Sequence, residues 1–123
     1  METSDVQTWL DGYVDAWRTY ERDSIEGLFT NDAEYSFHPY DAAPVRGAKA
    51  IADAWLAEKD SPGSWEASYR PHLIEGNRAT AVGTTTYADG RIYWNIWELE
   101  FSPEGKVKRF VEWFMRQPGN GDA

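Results

Sequence analysis

The sequence predicts a single α+β domain, helices first and a curved antiparallel sheet after. Two observations carry this expectation. Apolar residues in the first half recur at helical spacing, and from Ser64 onward apolar and polar residues alternate in long stretches separated by tight turn cues. The length of 123 residues fits one hydrophobic core and leaves no room for a second.

The elements follow in order. Ser4-Asp5-Val6-Gln7 has the form of a capping box, with Ser4 as N-cap and Gln7 reaching back. Val6, Trp9, Leu10, Tyr13, Val14, Trp17 and Tyr20 then keep one face of a helix that ends between Tyr20 and Arg22. Asp23-Ser24-Ile25-Glu26 repeats the capping pattern and opens a short helix carrying Ile25, Leu28 and Phe29, broken at Asn31-Asp32. Residues 34–38 alternate as a short strand closed by Pro39, and 40–47 form a loop with Pro44 and Gly47. Residues 48–58 make a third helix with Ile51, Ala54 and Trp55 on its buried face, and Asp60-Ser61-Pro62-Gly63 is a turn. Four strands follow, 64–75, 78–88, 91–101 and 106–116, joined at Gly76-Asn77, Asp89-Gly90 and Ser102-Pro103-Glu104-Gly105. Strands joined so tightly are antiparallel neighbours. The domain is expected over 1–117, with 118–123 a disordered tail.

Composition narrows the function. A formal net charge of −9 argues against nucleic acid and against an anionic membrane surface. The absence of cysteine excludes disulfides, thiolate metal sites and cysteine nucleophiles, and two histidines exclude a three-histidine metal site. No metal or organic cofactor is expected. No apolar run approaches the ~20 residues of a membrane span. The acidic, polar start Met1-Glu2-Thr3-Ser4-Asp5 is unlike a signal peptide, so a cytoplasmic location is expected. Aromatic residues reach 15%, with seven Trp, seven Tyr and five Phe. Such rings either fill a core or line a ligand site.

Period two assigns faces. Tyr93, Asn95, Trp97, Leu99 and Phe101 share one face, with Glu98 and Glu100 turned to solvent. Asn95 is an amide among rings, which either bonds within the core or serves a site. On the last strand Phe110, Glu112 and Phe114 share a face, and Val107, Arg109, Val111, Trp113 and Met115 share the other. Rings on both faces imply that both are covered, one by helices and one by a partner subunit. Glu112 between two phenylalanines pairs with a cation such as Arg46, Arg70 or Arg109, titrates high, or marks a site. His38 ends the first strand and is either a general base or a rim residue. His72 beside Pro71 points to an edge strand or a bulge. Phosphate-binding glycine loops and nucleophile elbows are absent.

Tyr13 with Ala16-Trp17, Leu28-Phe29-Thr30-Asn31-Asp32-Ala33, Gly47 before the third helix, Tyr93-x-Asn95-x-Trp97, and Phe101-x-x-x-Gly105-Lys106-Val107 running into Phe110-x-Glu112-Trp113 together resemble the nuclear transport factor 2-like superfamily, in its SnoaL-like branch. The resemblance spans about Val6 to Met115. It implies a cone-shaped barrel, a curved and mainly antiparallel sheet wrapped around three N-terminal helices, with a pocket between helices and sheet. The superfamily includes ketosteroid isomerase, scytalone dehydratase, limonene epoxide hydrolase, polyketide cyclases and noncatalytic binders. Likeness to the ketosteroid isomerases implies His38 in the place of their catalytic aspartate, one residue further along, Trp97 where they carry a carboxyl donor, and their tyrosine donor near Tyr13 or Trp17.

The resulting expectation is a pocket with His38 and Glu112 as catalytic candidates, walled by Tyr13, Trp17, Trp55, Tyr93, Asn95, Trp97, Phe110 and Phe114. His38 would act as general base, Glu112 would orient it or act as acid, and Asn95 or a tyrosine hydroxyl would polarise a carbonyl or hydroxyl. The ligand would be a small hydrophobic molecule, cyclic or polyketide- or steroid-like. The alternative is a noncatalytic binding or dimerisation module. In both cases a homodimer through the outer sheet face, with Val111, Trp113 and Met115, is expected.

Overall fold

The computed structural model describes residues 1–119. The part of the expected tail at 120–123 lies outside the described residues. Helix α1 (Thr3–Thr19) starts slightly before the predicted cap: the Glu2 backbone N–H donates to Asp5 Oδ2 at 2.8 Å. It ends where Tyr20 turns left-handed at φ 53° and its N–H donates to Ala16 O. Helix α2 (Arg22–Glu26) is shorter than expected. Phe29 leaves it to begin β1 (Phe29–Ser36), because it finds a sheet partner in Val107 and Leu28 O accepts the Val107 N–H at 2.9 Å. Sheet pairing here overrides a local helical cue.

The loop expected over 40–47 contains a short strand, β2 (Val45–Arg46), antiparallel to β1. Gly47 then takes φ 92°, a conformation natural to glycine, and opens α3 (Ala48–Ala57). Strands β3 (Trp65–Glu75), β4 (Arg78–Tyr87), β5 (Ile92–Phe101) and β6 (Val107–Arg116) follow. The sheet order is β2-β1-β6-β5-β4-β3, antiparallel throughout except for β1 beside β6. Its edges, β2 and β3, do not pair, so the curved sheet stays open. Pro71 sits on edge strand β3, where the register shifts before Leu73. Edge and irregularity both spare the sheet the missing N–H.

A bulge sets the core register. Glu100 faces Arg109 but Phe101 faces Val107, so Lys108 is extra on β6. The bulge turns Val107 inward, against the outward position that simple alternation assigns it, and Val107 is fully buried beside Phe101 and Phe110. The helices cover the inner face unevenly, α1 packing nearest β3 and α3 nearest β1. Trp9 of α1 packs edge-on to Phe29 and Phe101 and donates its indole N–H to Leu28 O at 2.9 Å. Each fully buried ring of this kind contributes about 2–3 kcal/mol relative to exposure. Tyr13 and Trp55 meet at 4.7 Å between ring centres and join α1 to α3. Beyond that contact the helices leave part of the inner face uncovered. No helix among the described residues is long and apolar enough to cross a membrane.

Candidate ligand site

The uncovered part of the inner face is a cavity of about 310 Å³. That volume lies at the lower end of the range for small-molecule sites, ~300–1,000 Å³. Its floor is made by β5 and β6. Asn95 and Trp97 alternate inward on β5, and Glu112 lies across from Trp97 on β6. Trp97 is buried between Tyr13 and Tyr69, with ring centres 4.4 and 4.1 Å away.

A directed hydrogen-bond chain ends on Glu112. Asn95 Nδ2 and Trp97 Nε1 both donate to Glu112 Oε2, at 2.8 and 3.0 Å. Asn95 Oδ1 accepts from Thr85 Oγ1 at 3.2 Å. Since Thr85 has one hydroxyl proton and spends it on Asn95, Tyr69 must donate its own to Thr85. Among the described residues Glu112 Oε1 accepts no hydrogen bond, and no solvent-shielded side-chain oxygen lacks a partner. Oε1 is therefore the oxygen open to the cavity.

Burial raises the Glu112 pKa above the ordinary carboxylate range, while the N–H donors of Trp97 and Asn95 and the charge of His38 pull it down. Tyr13 and Tyr35 share a hydrogen bond of 2.8 Å between their hydroxyls. Burial holds both well above the usual phenol value, and the Glu112 charge adds to this, so both are neutral donors or acceptors. At the mouth, Trp17 stacks on Trp65 at 3.6 Å and donates to Asp60 Oδ2 at 3.0 Å. Arg91 lies over the Tyr87 ring at 4.4 Å and is bonded to Asp89 at 2.8 Å.

Tyr13, Trp17, Trp55, Tyr93, Asn95, Trp97, Glu112 and Phe114 all line this cavity. Phe110 does not: it is fully buried beneath, stacked on Tyr35 at 4.3 Å. His38 does not either. Phe37 lines the cavity, and His38, one residue on, lines a separate hollow of about 830 Å³ on the outer face with Tyr40, Trp94, Ile96, Trp113 and Met115. Strand β1 ends at Ser36, and the chain bends through Phe37 and His38 into the turn at Pro39-Tyr40. In that bend the His38 N–H donates to Asp41 Oδ2 at 3.1 Å, and the His38 ring lines the outer hollow and not the inner cavity. Its Nδ1 lies 3.1 Å from Asp41 Oδ1, and its ring stacks on Tyr40. Phe114 stands 5.5 Å from His38, and Phe114 and Asn95 border both hollows.

The arginine partner considered for Glu112 is replaced by the amide and the indole; Arg46 pairs with Glu34 instead. Sequence reasoning missed Tyr35, Tyr69 and Thr85. Trp65 and Tyr69, spaced by four on β3, carried a period-two signal for an inward face. Thr85 lies in a run of three threonines and carried none.

Comparison with known proteins agrees with this fold. A structure of an NTF-2 like protein of unknown function from Burkholderia xenovorans has a TM-score of 0.70 at 20% identity, covering 94% of this chain and 89% of that one. An LEH-like epoxide hydrolase of M. tuberculosis has a TM-score of 0.68 at 14% identity, covering 94% and 86%. A Δ5-3-ketosteroid isomerase from Mycobacterium sp. has a TM-score of 0.63 at 12% identity, covering 92% and 98%. At these identities the likeness is one of fold. A search of curated protein sequences finds no match. The SnoaL-like domain model matches residues 10–117, nearly the whole chain, and the protein therefore belongs to the SnoaL-like family of the nuclear transport factor 2-like superfamily.

Proposed function

We propose that this protein binds a small, ring-bearing organic molecule in the inner cavity and moves a proton on it through Glu112. The observation that carries this reading is the Glu112 carboxyl: half-buried among aromatic rings, held at Oε2 by two N–H donors, and open to the cavity at Oε1. A carboxylate so held has one oxygen for chemistry and a fixed direction of approach. As general base, Oε1 takes a proton from a carbon beside a carbonyl or from a water; as the acid it returns that proton to the product. The neutral Tyr13 and Tyr35 hydroxyls share one hydrogen bond, so whichever accepts it keeps a proton to donate to an oxygen that gains charge in the same step. Isomerisation, dehydration and hydrolysis all fit this chemistry. The names of two proteins of the same fold, an epoxide hydrolase and a ketosteroid isomerase, lie within that range. In this reading His38 is outside the reaction and acts on Glu112 only through its charge.

The test is a turnover screen over enolisable ketones, β-hydroxy ketones and epoxides, followed by variants. Glu112→Gln lowers kcat by about 10²–10⁴-fold, and His38→Ala keeps most of it. Full activity in Glu112→Gln, or its loss in His38→Ala alone, would sink the proposal. A noncatalytic binder is the second reading, favoured by the closed Tyr13–Tyr35 pair, in which each hydroxyl already has a partner. Saturable binding with no turnover across the screen decides for it.

The outer face completes the proposal. Trp94, Ile96, Trp113 and Met115 are 49–70% exposed there, and a second copy of this chain is the occupant we assign to them. Trp113→Glu shifts sedimentation from dimer to monomer; a monomeric parent protein would refute the assignment.

A further inference from the structure

The charges around the cavity do not balance. Among the described residues Glu58, Asp60 and Glu112 line it against one cation, Arg91. Arg91 is already committed to Asp89 at 2.8 Å and to the Tyr87 ring. Among the described residues Glu112 has only neutral donors on Oε2 and no hydrogen bond on Oε1, and the His38 charge acts on it from outside the cavity. A neutral apolar ligand filling this space would strip solvent from Oε1 and leave that carboxylate oxygen without a partner, which is costly. A cation would reverse that balance. It supplies the missing charge and an N–H for Oε1, and its polarised CH groups rest well against aromatic rings. Tyr13, Trp17, Trp55 and Tyr69 line the same space. Asp60 and Glu58 at the mouth, on a chain of net charge −9, draw cations inward.

Resting on the reading that this cavity is a ligand site, and on its noncatalytic form because an ammonium occupies the oxygen that proton transfer needs, we infer that its ligand class is a protonated amine borne on a ring, with the ammonium against Glu112 Oε1 and the ring among the aromatic walls. The amine is held by charge where a neutral molecule of the same shape is not. Protonation of Glu112 removes that selectivity, so amine affinity falls as pH drops through the raised Glu112 pKa.

Calorimetric titration with three matched probes tests this: N,N-dimethylbenzylamine, its neutral isostere isobutylbenzene, and phenylacetate. The amine binds at least about tenfold tighter than isobutylbenzene near neutral pH, a difference of ~1.4 kcal/mol, and phenylacetate does not bind. In Glu112→Gln the amine falls to the level of isobutylbenzene, whose own binding reports that the cavity is intact. In the parent protein, acidification weakens the amine alone, which repeats the test without a variant. Equal or tighter binding of isobutylbenzene overturns the amine assignment and leaves the cavity reading standing. Amine affinity unchanged in Glu112→Gln overturns it as well. Failure of all three probes to bind overturns the cavity reading and this inference with it.

Discussion

Replacing Gly83 by alanine is expected to destabilise the fold and loosen the cavity wall together. Gly83 lies on β4 between Tyr69 of β3 and Asn95 of β5. Its φ is not in the left-handed region, so the constraint is steric. A Cβ built there would lie 2.8 Å from Tyr69 Cα, and nearer still to Ser68 O and Tyr69 Cδ1. Ordinary contacts begin at 3.4 Å, and the main-chain Ser68 O is the tightest of the three obstructions, so β3 must retreat by roughly an ångström along its backbone. Two of the three obstructing atoms are main chain, which no rotamer change relieves. Overpacking of this kind costs about 1–3 kcal/mol, and backbone obstruction places this case near 3. For a domain of this size that is a fall in Tm of roughly 10 °C. The retreat also moves Tyr69, which starts the hydrogen-bond chain to Glu112. Scanning calorimetry of the parent and variant measures the first effect, and ligand or probe affinity measures the second. A Tm within about 2 °C of the parent would refute the steric reasoning.

Gly12→Ala, in the middle of α1, is the opposite case. Its Cβ would meet only Leu28 Cδ2 at 3.4 Å, and helix propensity makes the variant about 0.5–1 kcal/mol more stable by urea titration. Trp97→Phe keeps a ring but removes the 3.0 Å donor to Glu112 Oε2. A hydrogen bond to a charged group is worth about 1.5–3 kcal/mol, so the Glu112 pKa rises further, and an upward move of the acid limb of the pH–rate profile, or of a carboxyl NMR titration, checks it. Glu112→Gln raises the stability of the unliganded protein at neutral pH. Its folded pKa is raised, so the folded state keeps the proton longer than the unfolded chain does. Stability therefore falls as pH rises from the ordinary carboxylate value through the raised one, and the glutamine variant lacks that fall. Urea titrations of both proteins below and above this window check it; a variant less stable than the parent at neutral pH would contradict it.

Much of the architecture is determined by the sequence alone. The spacing of Val6, Trp9, Leu10 and Tyr13 commits one face of α1 to the core, and all four are buried. The alternation on β5 turns Asn95, Trp97, Leu99 and Phe101 inward whatever strand lies beside them, because the face of a residue within a strand is a local property. Only the tertiary structure decides what depends on pairing between elements. Phe29 is a strand residue because Val107 is there to pair with it. Val107 faces inward because β6 carries one extra residue against β5. The Tyr69–Thr85–Asn95–Glu112 chain crosses four strands, and no spacing in the sequence sets the register that aligns them. Whether His38 and Glu112 share the aromatic pocket is decided in the same way. Glu112 lines it, while His38 lies past the end of β1 in a bend held by Asp41 and lines the outer hollow, because the direction of such a bend is not set by strand alternation.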